Sequence, residues 1–363
     1  MKALLLAGLS ILSTGQLFAQ QSSRVTEAQS VLAPLIESYG VSGSEAPVRA
    51  TVERLLPQWA KAKAETDTAG NLWVRVGKGD PLVVFVAHLD EIGFVVKAVR
   101  DDGSLEIEAQ GGFFPSLFEA EPALIHTGTK VVPGVFMPRD SAGPKPQRTP
   151  PAFRVDVGTG TRAATESLGV RVGQGITMPK QYVRLAGTRA TGRSFDDRVG
   201  CAALILAMRR LNPDRIRHEV AFIFSVREEI GLEGAAAAAA SLAGRTARVH
   251  AIDTFVSADS PLEPQTFAVA PIGKGPVARA LDNSAVTPPA LLDSLTRLAR
   301  ASAIPLQVGT TNGGNDGSTF AAWGVPDVAI GWPLRYSHSP AEVIDLRDVV
   351  GLGDIVQAIA ERW

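Results

Sequence analysis

Acids and histidines stand at the ends of apolar runs throughout this 363-residue chain. Leu82-Val83-Val84-Phe85-Val86-Ala87 leads into His88-Leu89-Asp90-Glu91, and residues 220–226 lead into Arg227-Glu228-Glu229. Val249-His250-Ala251-Ile252 ends at Asp253, and residues 328–330 lead through Arg335-Tyr336-Ser337 to His338-Ser339-Pro340. A fifth pair, Asp196-Asp197, sits just before an apolar run that starts at Val199. If the runs are strands, four of these groups fall just beyond carboxyl ends, where open α/β sheets bind ligands. Singly, each has a plain explanation: Asp196-Asp197 as a helix cap, Glu228-Glu229 as a solvated charge pair. Together they require five separate coincidences. Imidazole nitrogens and carboxylates without thiolates are donors suited to zinc, cobalt or manganese.

Positioning such groups requires a rigid framework, and the hydrophobic spacing supplies one. Helices are predicted over residues 27–39, 45–56, 199–211, 234–242, 288–301 and 346–361. Short buried strands are predicted over 71–76, 82–87, 220–226, 249–252 and 328–330. Alternating strands and helices predict an α/β domain, a mostly parallel central sheet covered by helices on both faces. Residues 94–183 read differently, with frequent Gly and Pro, five prolines within 138–151 and only short β-type runs such as 129–136. This predicts a small inserted β-rich domain over 94–183, between the two parts of the α/β domain at 22–93 and 184–363.

A formal net charge of -1 argues against nucleic acid as a partner, because such proteins carry a basic excess. At the start, Lys2 precedes an apolar stretch at 4–12, and Leu17-Phe18-Ala19-Gln20 offers cleavage after Ala19 or Gln20. Residues 1–20 therefore read as a secretory signal peptide, too short for a stable membrane anchor, with export to a bacterial periplasm or the medium. The lone Cys201 reads as a buried small hydrophobe. His126, His218 and His250 read as structural or exposed, His250 pointing away from Asp253.

Several stretches together resemble the M42 family of metallo-aminopeptidases, the tetrahedral or glutamyl aminopeptidase group of co-catalytic zinc exopeptidases. They are His88-Leu89-Asp90-Glu91-Ile92-Gly93-Phe94, Phe195-Asp196-Asp197-Arg198, Glu228-Glu229-Ile230-Gly231-Leu232 and Asp253. Gly313-Gly314-Asn315-Asp316 and Arg335-Tyr336-Ser337-His338-Ser339-Pro340 with Glu342 complete the set. The resemblance implies a zinc-exopeptidase-like fold and two divalent metal ions, zinc in preference to cobalt or manganese. Carried onto this chain, it implies that His88 and Asp253 bind one ion, Glu229 and His338 the other, and that Asp196, rather than Asp197, bridges them. Asp90 would orient His88, and Glu228 would be the general base. Gly313 to Asp316 would form a backbone wall near the substrate. The implied partners are peptides with a free N-terminus and further copies of the chain in a homo-oligomer. The leader departs from the family, most of whose members are cytoplasmic. Two other readings stand beside this one: a related binuclear deacylase or carboxypeptidase, and a non-catalytic binding protein of the same fold. The intact Glu228 and five ligands oppose the second.

Overall fold

The computed structural model describes residues 14–139, 152–242, 244–257, 259 and 269–363. The apolar part of the leader and most of the proline-rich stretch lie outside the described residues.

Helices α1 (Thr14–Ile36), α2 (Ala46–Leu55) and α3 (Gln58–Lys61) precede strands β1 (Ala64–Thr66), β2 (Leu72–Val76) and β3 (Leu82–His88). A second body follows: β4 (Gly93–Val99), β5 (Leu105–Gln110), β6 (Pro122–His126), β7 (Val131–Phe136), β8 (Arg154–Asp156), α4 (Arg162–Ser167) and β9 (Gly175–Thr177). The chain returns through β10 (Val183–Arg184), β11 (Arg189–Gly192), α5 (Phe195–Arg210), β12 (Val220–Ser225), α6 (Glu233–Ser241), β13 (Thr246–Ala251) and β14 (Phe255–Val256). It finishes with β15 (Val277–Leu281), α7 (Pro289–Ala301), β16 (Gln307–Thr310), β17 (Ile330–Gly331), β18 (Pro333–Leu334), β19 (Glu342–Asp345) and α8 (Leu346–Arg362).

The central sheet runs β1-β2-β12-β3-β13. Every residue of β3 and β12 is buried, which is why both read as unbroken apolar runs. Alternate residues serve opposite faces. Val83, Phe85, Phe222 and Phe224 pack with α1, α5 and α8, whereas Val84, Val86 and Ile223 pack against the alanines of α6 and Phe320. Helix α5 is buried from Phe195 to Met208, with Cys201 inside it.

The sheet is mixed, which corrects the expectation of a mostly parallel one. β3 pairs in parallel with β12 and β13, but β2 runs antiparallel to both β1 and β12. The cause is local. Asp67 accepts the amide hydrogens of Ala69, Gly70 and Asn71 at 2.9 Å, and so short a turn can join only antiparallel strands. The parallel trio β12-β3-β13 is the part that matters for the site. Its register sets Ser225 beside His88 and brings the loops after three strands to one edge. Isolated parallel bridges, Val249 to Asp327 and Ile252 to Ile330, attach the smaller sheet β16-β15-β17 alongside β13.

Residues Gly93 to Thr177 supply a closed barrel, β4-β5-β8-β7-β6-β9, whose neighbouring strands are all antiparallel. Its core is aromatic: Phe94 meets Phe118 edge-on at 5.3 Å and lies 5.0 Å from Phe136 and 5.3 Å from Phe153. The two bodies join over a buried ion cluster. Glu91, just before β4, pairs with Lys180, just after β9, and lies 3.5 Å from Arg193 and 3.4 Å from Arg198. Burial alone would raise the Glu91 carboxyl, but the three cations outweigh it and hold the group well below the usual carboxylate range.

Candidate metal centre and active site

The loops at the sheet edge bring the expected residues together. Asp196 sits at the middle and divides its oxygens: Oδ1 lies 3.1 Å from His88 Nε2, and Oδ2 lies 3.1 Å from His338 Nε2. Glu229 Oε1 is 3.5 Å from His338 Nε2, and Glu228 Oε2 is 4.0 Å from His88 Nε2. Ligand atoms of His88, Asp196 and Glu229 all lie within 4.8 Å of one another. Asp253 lines the same cleft, and the hydroxyl of its neighbour Thr254 lies 3.5 Å from Asp196 Oδ2.

Both imidazoles turn Nε2 inward and Nδ1 outward. The His338 Nδ1–H donates to the carbonyl of Gly112, a barrel residue, at 2.6 Å. His88 Nδ1 faces Asp90 Oδ1 at 3.5 Å, the orientation that fixes a ligating histidine's tautomer. That distance is long for a hydrogen bond, and Asp90's shorter bonds go elsewhere. It accepts from the Ser42 hydroxyl at 2.6 Å and from the amides of Glu228 and Glu229 at 3.0 and 3.2 Å. Asp90 therefore ties the ends of β3 and β12 together as well as facing His88.

Asp197 turns away from Asp196. Its oxygens accept the amide hydrogens of His88 and Gly200, both at 2.9 Å, and Gly200 carries no side chain because Asp197 fills that space. The helical conformation of α5 begins only after these two acids. The loops are strained: five of the seven non-glycine residues with positive φ among those described are Ser194, Arg227, Leu232, Tyr336 and His338. Such conformations cost about 1–3 kcal/mol each and persist where surrounding contacts hold them. Glu342 is one such contact, accepting the amides of Phe195 at 2.7 Å and His338 at 3.0 Å.

The electrostatics suit a cation. Burial, with Asp253 and Glu229 nearby, pushes the Glu228 carboxyl well above its usual range against the opposing pull of His88. Burial raises Asp253 to about 6, although Arg279 opposes the rise. Around Asp196 burial loses, because hydrogen bonds from His338 and His88 hold it low. For His88 the burial penalty is outweighed by Glu228, Asp196 and Asp90, which hold its imidazole well above the ordinary value. Among the described residues lining the cleft, these buried acids are balanced by two imidazoles and one guanidinium. Among the described residues, Glu229 Oε1 and His88 Nδ1 are buried without a hydrogen-bond partner. Nitrogen and carboxylate donors at this spacing fit divalent metal ions.

The family model of the M42 glutamyl aminopeptidases matches residues 70–355. The chain belongs to the M42 family. It is similar to the lysyl aminopeptidase of Pyrococcus furiosus, with 30% identity over 90% of this chain and 95% of that one. The glutamyl aminopeptidase of Lactococcus lactis is 25% identical, over 90% of this chain and 93% of that one. Among solved structures, the TET1 peptidase of Pyrococcus horikoshii, which can assemble into a tetrahedron or a large octahedral shell, superposes with a TM-score of 0.82. It is 29% identical, and the match covers 94% of this chain and all of the other. M42 aminopeptidases are metal-dependent peptide hydrolases, and this M42 chain carries a group of residues able to hold metal.

Two neighbours of the M42 site take roles that the sequence did not assign them. Arg279, 2% exposed on β15, lies 3.4 Å from Asp253 Oδ2 and 3.1 Å from Asp282 Oδ2. Asp316, read as part of a backbone wall, is buried and accepts from the Ser225 hydroxyl, and burial raises it to about 7. The wall itself does line the cleft, at Gly313 and Gly314. The other histidines lie elsewhere: His250 stacks on Phe85 at 5.2 Å, and His126 bonds Thr177 at 2.8 Å. Burial pushes the Cys201 thiol up, so it is inert.

Proposed function

We propose that this chain removes N-terminal residues from peptides with a two-metal centre at the sheet edge. His88 and Asp253 would hold one divalent ion and Glu229 and His338 the other, with Asp196 placed to serve both. The observation that carries this reading is Asp196, whose two oxygens address two different imidazoles at 3.1 Å. Zinc is the favoured metal, with cobalt and manganese also suited to the donors. When bound, such a pair polarises a scissile carbonyl and acidifies a water.

Glu228 would act as the general base, taking a proton from the attacking water and passing it to the leaving amine. Its backbone is fixed by Asp90, whose carboxylate accepts the Glu228 amide hydrogen at 3.0 Å. Asp90 and the Gly112 carbonyl keep Nε2 of each histidine turned inward. Replacing Glu228 by Gln should retain metal and lower turnover of aminoacyl-p-nitroanilides by on the order of 10²–10⁴-fold. Full activity in Glu228→Gln would remove it from this role. Hydrolysis confined to blocked N-termini would favour the deacylase reading.

Two further features belong to the proposal. The leader directs export, so mature protein should begin near residues 20–22 by mass spectrometry of the exported fraction. The chain forms a homo-oligomer, as the shell-forming relative does; a monomer by light scattering would contradict this.

A further inference from the structure

We infer that the cleft selects peptides with an apolar N-terminal side chain, and that Phe114 and Leu117 of the barrel form the wall that does so. This rests on the aminopeptidase reading above and adds the substrate class. The metal residues line a cleft of about 690 Å³, a usual size for a small-molecule site. Facing them are Phe114 and Leu117 from the barrel and Leu232 and Val256 from the α/β body.

The chain goes out of its way to present these groups. Gly111, at φ 99°, brings the barrel loop against the site, where an added Cβ would stand 3.1 Å from Glu229 Oε2. Phe113 then anchors the loop in the barrel core, edge-on to Phe94 at 5.1 Å and 4.9 Å from Phe118. With Phe113 and Phe118 committed inward, the intervening Phe114 and Leu117 are left 75% and 44% exposed. A large apolar ring held in water beside a reactive centre is stabilised by a ligand that covers it.

Among the described residues, charge favours an apolar side chain over an acidic or basic one. A glutamyl substrate needs an accessible cation, but among the described residues lining the cleft the one cation besides the histidines, Arg279, is 2% exposed and ion-paired. Asp282, outside the metal set, lies 3.1 Å from its Nε, Asp253 lies 3.4 Å from Nη1, and Nη2 donates to the Gly314 carbonyl at 3.1 Å. A lysyl substrate needs a free carboxylate, and among the described residues every acid lining the cleft belongs to the metal and base set.

The test uses the metal-loaded full-length protein and a panel of leucyl-, phenylalanyl-, alanyl-, glutamyl- and lysyl-p-nitroanilides. Leucyl and phenylalanyl substrates should exceed glutamyl and lysyl in kcat/KM by at least about tenfold, the discrimination an apolar pocket provides. Phe114→Ala and Leu117→Ala should each raise KM for leucyl substrate by about 10-fold or more while changing the alanyl reaction far less. Faster glutamyl or lysyl cleavage, or equal losses on alanyl and leucyl substrates, would overturn the inference. So would a Phe114→Ala variant whose assembly state changes while its leucyl KM does not, since a second copy would then be the cover. Hydrolysis of none of the panel would instead sink the aminopeptidase reading on which the inference stands.

Discussion

Around one cleft, the α/β body and the barrel are built on different terms. In the body, β3 and β12 are buried along their whole length, and the strand-end loops that follow carry acids and imidazoles. In the barrel, β5, β6 and β7 each expose part of their length, and the contribution to the cleft is one carbonyl and an apolar lip. The difference separates two tasks. Ligand geometry must hold to fractions of an ångström, so it is mounted where packing leaves no freedom. The lip has only to be apolar and near, so it rides on a half-exposed barrel.

The contrast can be pressed from the strongest effect downward. Phe222→Ala, in the buried middle of β12, should cost about 3–5 kcal/mol in denaturant unfolding, whereas Val135→Ala on the exposed barrel face should stay within about 0.5 kcal/mol. Similar losses at both sites would erase the distinction. Glu342 ties the loops of Asp196 and His338 from beneath the site. Glu342→Ala should weaken metal binding by about 10–100-fold, read by chelator competition, with the fold intact by circular dichroism. Unchanged affinity would show that the loops need no such tie.

The junction between the bodies supplies a pH test. The Glu91 carboxyl is held low by Lys180, Arg193 and Arg198. A depressed folded value means that its stabilisation is complete above the ordinary glutamate value of about 4.3 and fades as pH falls below it. Unfolding measured from pH 6 downward should lose stability in that acid range. Glu91→Gln should flatten the slope there by about 1.4 kcal/mol per pH unit. An unaltered slope would mean that the cluster does not couple the bodies.

Legibility in the sequence follows the same division. The runs at 82–87 and 220–226 could be read because strands buried on both faces must be apolar throughout, and the acids stood out against them. The antiparallel edge left no signal because β2, apart from Arg75, is as apolar as the strands of the parallel trio, and strand direction is not encoded in apolar spacing. Barrel closure was invisible, since β8 and β9 span three residues each and carry almost no periodicity. Arg279 interrupts an otherwise apolar strand, a signal that gains meaning only once Asp253 lies beside it. The Gly112 carbonyl leaves no trace at all, being a backbone group whose role is set by folding.

Metal content measured by mass spectrometry on purified wild-type protein and on Asp196→Asn tests the central claim most directly. Two divalent ions per chain in the first, and loss of most of that metal in a folded second, is the expected result. Wild-type protein that takes up no divalent metal, or Asp196→Asn retaining the full complement, would contradict it.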